Sequence, residues 1–364
     1  MRDQVGILTW HQYENFGSML QAFALQKTLE QLKIRNEIVD YFNESILPAK
    51  KKSERLKYLL KKVLMAVKLD QFVGDYYSFQ RFYFDYLCKS KTVTNRDQLK
   101  SLSMKYYCII CGGDQIWAPN VYDPVYMADF VDEENIRLVS YAASIGLNDI
   151  PEKLRPIYRD LLSRFSCVSV REEKGKELLK ELCNIDAKVV LDPTFLLDVS
   201  VYRKIQKKVL QVKKPYIFCY FLNKHHDYGS RVQSFATACG CEICGISSST
   251  QDNNWMHILR GIGPQEFLWL VDNAEYIFTD SYHGTIFSLL FQKKFWTFER
   301  FRNDDPICQN SRIQQLNKMF DLESKILSSK EIPDVNVNLD YEVIQEKMQI
   351  YIKESKNFLR EALN

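Results

Sequence analysis

Short apolar runs that end abruptly in small or polar residues, separated by helical patterns, recur along this chain. That alternation leaves little choice but a parallel α/β fold. Val5 to Trp10 is the first such run. A polar loop over His11 to Gly17 follows, then a helix expected from Ser18 to Leu32, with Ser18-x-x-Gln21 as its capping box. Glu37 to Phe42 supplies the next strand. Later runs are Tyr106 to Cys111, Arg137 to Ala142, Cys167 to Val170 and Lys188 to Leu191. They predict a doubly wound sheet of about six parallel strands.

At 364 residues the chain exceeds one ordinary core, so two domains are expected. The charged segment Tyr202 to Lys214 reads as the linker. Pro215 to Leu222 opens a second α/β unit, with strands near Glu242–Ile246, Glu275–Thr279 and Phe295–Phe298. Its helices are expected near 228–238, 264–273, 284–292 and 311–319. The resulting division is 1–200, 201–335 and a final helical segment, 336–364, that crosses back onto the first domain. A basic helical insertion spans 49–90 in the first domain. Within it, 49–68 forms a basic amphipathic pattern, read either as a surface helix or as contact with an anionic inner-membrane surface.

Net charge is +3, which argues against nucleic acid as a partner. No apolar run reaches the ~18 residues of a membrane span. With an N-terminus that runs straight into a strand, the expectation is a cytoplasmic protein. The ten cysteines follow no disulfide framework. Cys239, Cys241 and Cys244, with His225 or His226, form a possible metal cluster, but free thiols are the simpler reading, and no metal is expected.

Candidate chemistry gathers at strand ends, where ligands of open α/β sheets sit. His283 follows the run Tyr276 to Thr279 at a turn into a helix, where it can exchange a proton or bind an oxyanion. Arg171 ends Val168-Ser169-Val170, and its planar fork suits a carboxylate or phosphate; the alternative is an ion pair with Glu172 or Glu173. Gly112-Gly113-Asp114 lets a ligand approach the backbone, with Asp114 as a base, a hydroxyl ligand or a helix cap. Asn15, Gly17 and Ser18 share that sheet edge. Arg300, Arg302 and Arg312, with Lys293 and Lys294, make the mouth of the second unit basic. Neither a Walker loop nor G-x-G-x-x-G occurs, and G-x-S-x-G and H-E-x-x-H are also absent.

Six motifs in order resemble the polysaccharide pyruvyl transferases. They are Gly6 to Trp10 with Asn15 to Gln26, then Gly112 to Trp117, Ser140 to Gly146, Ser169 to Glu172, Leu191 to Thr194 and Thr279 to Thr285. The resemblance implies two Rossmann-like domains facing a cleft, as in GT-B glycosyltransferases. It implies transfer of a pyruvyl group from phosphoenolpyruvate to two hydroxyls of a sugar or lipid-linked oligosaccharide precursor, with no cofactor. It aligns His283 with the family's essential histidine, suited to either proton transfer or to binding the phosphate, and Arg171 with a donor-binding arginine. Read from the residues, Asp114 joins His283 as catalytic, and Ser281, Gly284, Thr285, Arg302 and Arg312 join Arg171 at the donor. Asn15, Gly17, Ser18, Gly112 and Gly113 then line the acceptor cleft. One departure stands out: the family carries an arginine where this chain has Ser281. Either Arg302 or Arg312 substitutes, or the donor differs. The rival readings are a nucleotide-sugar glycosyltransferase and an inactive scaffold.

Overall fold

The structure, a computed structural model, describes residues 3–42, 74–132, 135–222, 226–247, 255–302, 305, 308–327, 333–335 and 338–364. The basic segment 49–68 lies outside the described residues.

Among the described residues twelve strands fall into two parallel layers. The first holds β1 (Gln4–Leu8), β2 (Asn36–Ile38), β3 (Tyr106–Gly112) and β4 (Arg137–Tyr141) in the order β2-β1-β3-β4. The pair β5 (Ser169–Val170) and β6 (Lys188–Val189) continues it through bridges from Val139 to Cys167 and from Ala143 to Val170. The second sheet holds β7 (Tyr216–Phe221), β8 (Glu242–Ser247), β9 (His257–Ile258), β10 (Tyr276–Thr279), β11 (Lys294–Phe298) and β12 (Ile326–Leu327). Its order is β12-β11-β10-β7-β8-β9. In both sheets the first strand lies inside and the chain winds outward on either side. Each therefore has a switch point where two loops diverge, between β1 and β3 and between β7 and β10.

The described helices are α1 (Phe16–Gln31), α2 (Asp75–Tyr86), α3 (Arg96–Ser103), α4 (Arg155–Leu162), α5 (Glu173–Cys183), α6 (Val199–Ile205), α7 (His226–Cys239), α8 (Pro264–Asn273), α9 (Tyr282–Leu290), α10 (Asn310–Met319) and α11 (Tyr341–Leu363). None of the described helices is long and apolar enough to cross a membrane.

The sequence predicts most of these elements, and the differences have identifiable causes. Helix α1 starts at Phe16 rather than Ser18, because the Asn15 side chain is the cap and accepts from the Ser18 N–H at 3.0 Å. Helix α9 likewise starts at Tyr282 rather than 284, capped by Ser281 through the Gly284 N–H. Part of the expected linker is helix α6, started by Asp198, whose carboxylate accepts from the Ser200 N–H. Strands β9 and β12 are two residues each, too short to show a period.

The two sheets share one core. Val5 and Ile7 of the first belong to the same buried cluster as Tyr216, Phe218 and Ile277 of the second. Helix α1 joins them, with every residue from Phe16 to Gln26 buried. A helix apolar on nearly all sides belongs in an interior, not on a surface. The Phe16 ring stacks on Phe267 at 4.8 Å and meets Tyr220 at 5.4 Å. Helix α2 adds to the seam. Ser78 donates to the Gly261 carbonyl at 2.8 Å, and Arg81 pairs with Glu266 at 2.8 Å. Helix α11 packs on the first sheet, where Ser355 Oγ accepts from the Leu191 N–H and Phe358 lies beside Tyr141.

Candidate active site

The two switch points meet. From the first sheet come the β1–α1 loop with Gly17 and Ser18, and the β3 loop with Gly112 to Asp114. From the second comes His283, in the first turn of α9 after β10. The contact is close: a Cβ on Gly17 would lie 2.0 Å from His283 Nδ1. Only glycine lets the imidazole sit against this backbone. Ser18 Oγ donates to Asp114 Oδ2 at 2.5 Å, and the Gln115 N–H donates to Oδ1 at 2.8 Å.

On its other side the histidine faces Asp192, which is fully buried. Its Oδ2 lies 3.3 Å from His283 Nε2 and accepts from Arg171 Nη1 at 2.8 Å. Its Oδ1 accepts from the N–H and hydroxyl of Thr194, at 3.0 and 2.7 Å. Burial alone would raise the Asp192 pKa. The close approach of His283, then Arg171 and the Thr194 N–H, outweigh it and hold the carboxyl well below the usual range. The 3.3 Å approach lies off hydrogen-bonding alignment, so Nε2 has no bonded partner. Catalytic hydrogen bonds in ligand-free sites are often long in this way.

Arg171 is buried and stacks on the Tyr282 ring, its guanidinium carbon 4.4 Å from the centroid. Burial opposes its charge. Tyr282, Asp192 and Glu172 outweigh that and keep it charged. Arg312, on α10, approaches the same ring at 5.9 Å. Burial, then the charge of Arg171, push it down to about 10. The two cations therefore repel each other across one ring. Arg171 Nε and Nη2, Arg312 Nε, Glu172 Oε2 and His283 Nε2 are all buried without hydrogen-bond partners. Unsatisfied buried donors are costly, and several in one place call for a ligand. Arg171, Glu172, Tyr282 and Arg312 also line one pocket.

The other predicted residues are placed as follows. Ser281 is the α9 cap, and its carbonyl accepts from Thr285 Oγ1 at 3.1 Å. Gly284 is buried where a Cβ would meet Thr279 Oγ1 at 2.3 Å. These three build the turn that aims His283. Gly112 and Gly113 serve close packing, since an added Cβ would lie 1.8 Å from the Tyr141 carbonyl oxygen or from Gln21 Oε1. Asn15 is the α1 cap. Arg302 is exposed, so of the two candidate arginines only Arg312 joins the buried cluster. Of the ion-pair partners weighed as the alternative for Arg171, Glu172 is secondary at 3.9 Å, while Asp192 makes the close pair. Asp192 and Tyr282 escaped the sequence reading as site residues. Asp192 and Tyr282 stand within the Leu191 to Thr194 and Thr279 to Thr285 motifs, but neither pattern assigns them a role.

Cys239, Cys241 and Cys244 are free thiols. Burial and Cys239 push the Cys241 thiol up to about 12, which disfavours the thiolate a metal needs. His225 and the His226 side chain lie outside the described residues. Among the described residues no three His, Cys, Asp or Glu side chains are placed to hold a metal.

Comparison with known proteins agrees with this geometry. UDP-GlcNAc 2-epimerase from Methanocaldococcus jannaschii superposes with a TM-score of 0.52 at 12% identity, covering 96% of this chain and 92% of that one. The enzyme from Neisseria meningitidis, solved with UDP-GlcNAc, gives 0.50 at 10% identity, covering 99% and 98%. At such identities the likeness is one of fold, two Rossmann-like units arranged as in GT-B enzymes. No curated protein matches the sequence. The model of one family, polysaccharide pyruvyl transferase, matches residues 15–300, a span that holds Gly17, Asp114, Arg171, Asp192 and His283, and the chain is therefore a member of that enzyme family.

Proposed function

We propose that the protein transfers a pyruvyl group from phosphoenolpyruvate to two hydroxyls of a sugar unit in a surface-polysaccharide precursor. The observation that carries this reading is the convergence of two mutually repelling arginines and a histidine, with Arg171 Nε and Nη2, Arg312 Nε and His283 Nε2 unpartnered, where the switch points meet. A small trianion satisfies both guanidinium groups. Arg312 takes the place of the family arginine missing at Ser281.

In the balanced reaction one acceptor hydroxyl adds to C2 of the donor, and its proton is removed. The methylene carbon gains a proton and becomes a methyl group. The second hydroxyl then adds at C2 as the C–O bond to phosphate breaks, and phosphate leaves carrying the remaining proton. His283 is suited to the proton transfer or to the departing phosphate, and the Ser18–Asp114 pair to receiving a hydroxyl proton.

The test is a melting-temperature screen with phosphoenolpyruvate against nucleotide sugars, since a ligand bound to the native state raises it. A rise with phosphoenolpyruvate that is lost in Arg171→Ala supports the proposal. A rise only with a nucleotide sugar, and glycosyl transfer in product analysis, replaces it with the glycosyltransferase reading. No response to either favours a scaffold.

A further inference from the structure

We infer that Asp192 is the positioning residue of this site, one carboxylate that sets the proton arrangement of His283 and ties it to the donor-binding Arg171. The inference rests on the pyruvyl-transfer reading for the identity of the donor. The juxtaposition itself is independent of that reading.

The carboxylate is immobile. Its Oδ1 is held by two donors from Thr194, and it begins the short 3-10 turn Pro193–Leu196. Its Oδ2 therefore points one way, and two groups share it, Arg171 Nη1 at 2.8 Å and His283 Nε2 at 3.3 Å. Asp192 and Arg171 belong to the first sheet and His283 to the second, so the carboxylate is also a polar bridge between the halves. A carboxylate beside one ring nitrogen favours the proton on that nitrogen. Nε2 thus carries the hydrogen, and Nδ1 keeps its lone pair. Nδ1 lies against Gly17, the chain neighbour of Ser18, whose hydroxyl donates to Asp114. When an anion occupies Arg171, that cation is shared with the ligand. Asp192 then has more charge to offer Nε2, and the long 3.3 Å approach shortens.

The experiment uses the full chain labelled with 15N-histidine, with His283 assigned by comparison with His283→Gln. In the native protein the ring should show a protonated Nε2 and an unprotonated Nδ1, with the Nε2 signal moving when phosphoenolpyruvate is added. In Asp192→Asn that pattern should collapse to mixed tautomers. Turnover should fall on the order of a hundredfold, while KM for phosphoenolpyruvate stays level or drops, because Arg171 has lost a competing anion. Arg171→Ala should do the opposite and raise KM. Asp192→Glu should restore part of kcat. Should Asp192→Asn fail to fold, Thr194→Val serves, because it removes the hydroxyl, one of the two donors that hold Oδ1, and should give an intermediate loss. An unchanged ring pattern in Asp192→Asn, or in Thr194→Val if that variant is needed, overturns the inference. So does turnover within threefold of native. If no acceptor supports turnover at all, the pyruvyl-transfer reading fails, and the ring pattern alone decides the role of Asp192.

Discussion

At the residue scale the site is a set of mutual dependencies rather than one catalytic group. His283 is pressed between Gly17 and Asp192, and Arg171 between Asp192 and Tyr282. Replacing His283 by Ala should lower kcat by about 10²- to 10⁴-fold, the usual contribution of a positioned acid or base. Gly17→Ala should be nearly as damaging, although it adds a single methyl group. That methyl would stand 2.0 Å from Nδ1, so the imidazole must move. The check is steady-state kinetics beside a melting curve, and activity should fall far more than stability. Arg312→Ala should raise the donor KM at least tenfold if this cation replaces the family arginine, and Arg302→Ala should change it little, since Arg302 is exposed.

At the element scale, caps and buried helices decide where those residues point. Asn15 and Ser281 each satisfy a free N–H at the start of a helix that carries a site residue. Asn15→Ala should cost about 1 kcal/mol, as cap deletions do, and should disturb the Gly17 contact as well. Helix α1 shows why pattern reading has a limit. Leu20, Phe23 and Ala24 alone would define one apolar face, but the helix is buried almost all round. The same sequence suits either setting until a second layer covers it. Phe16, at the start of α1, meets that second layer at Phe79, Tyr220 and Phe267. Phe16→Ala should destabilise by about 3–5 kcal/mol, as buried aromatic deletions do, with chemical denaturation as the measurement.

At the scale of the whole molecule, the shared core joins what the sequence divides. Because one apolar cluster runs through both sheets, calorimetry should show one unfolding transition instead of two. Stability should also fall on acidification. The folded Asp192 carboxyl titrates below its ordinary value of 3.8. It therefore contributes stability that is fully present above that pH and is lost as pH falls toward the folded value. Asp40, held by His11, Thr92 and Tyr83, acts with the same sign. Melting temperature against pH should show the gap between native protein and Asp192→Asn narrowing below pH 4. A gap independent of pH would remove the charge from the explanation.

What the sequence by itself determined is local. Apolar runs ending in polar residues specify strands, and their spacing specifies crossovers, so a parallel α/β fold was legible. So were His283, Arg171 and Asp114 as residues at strand ends. Those signals live in ten or so neighbouring residues, within reach of propensity and period. What only the tertiary structure decided is which strand ends face one another. Asp192 and His283 lie 91 positions apart (283 − 192), and Gly17 is farther still. No local pattern encodes their meeting. It follows from the packing of α1 and α2 between two sheets, which closes the switch points on each other. That same packing sets Arg312, and not Arg302, beside the Tyr282 ring with Arg171, and it leaves Arg171 Nε and Nη2 and Arg312 Nε without partners.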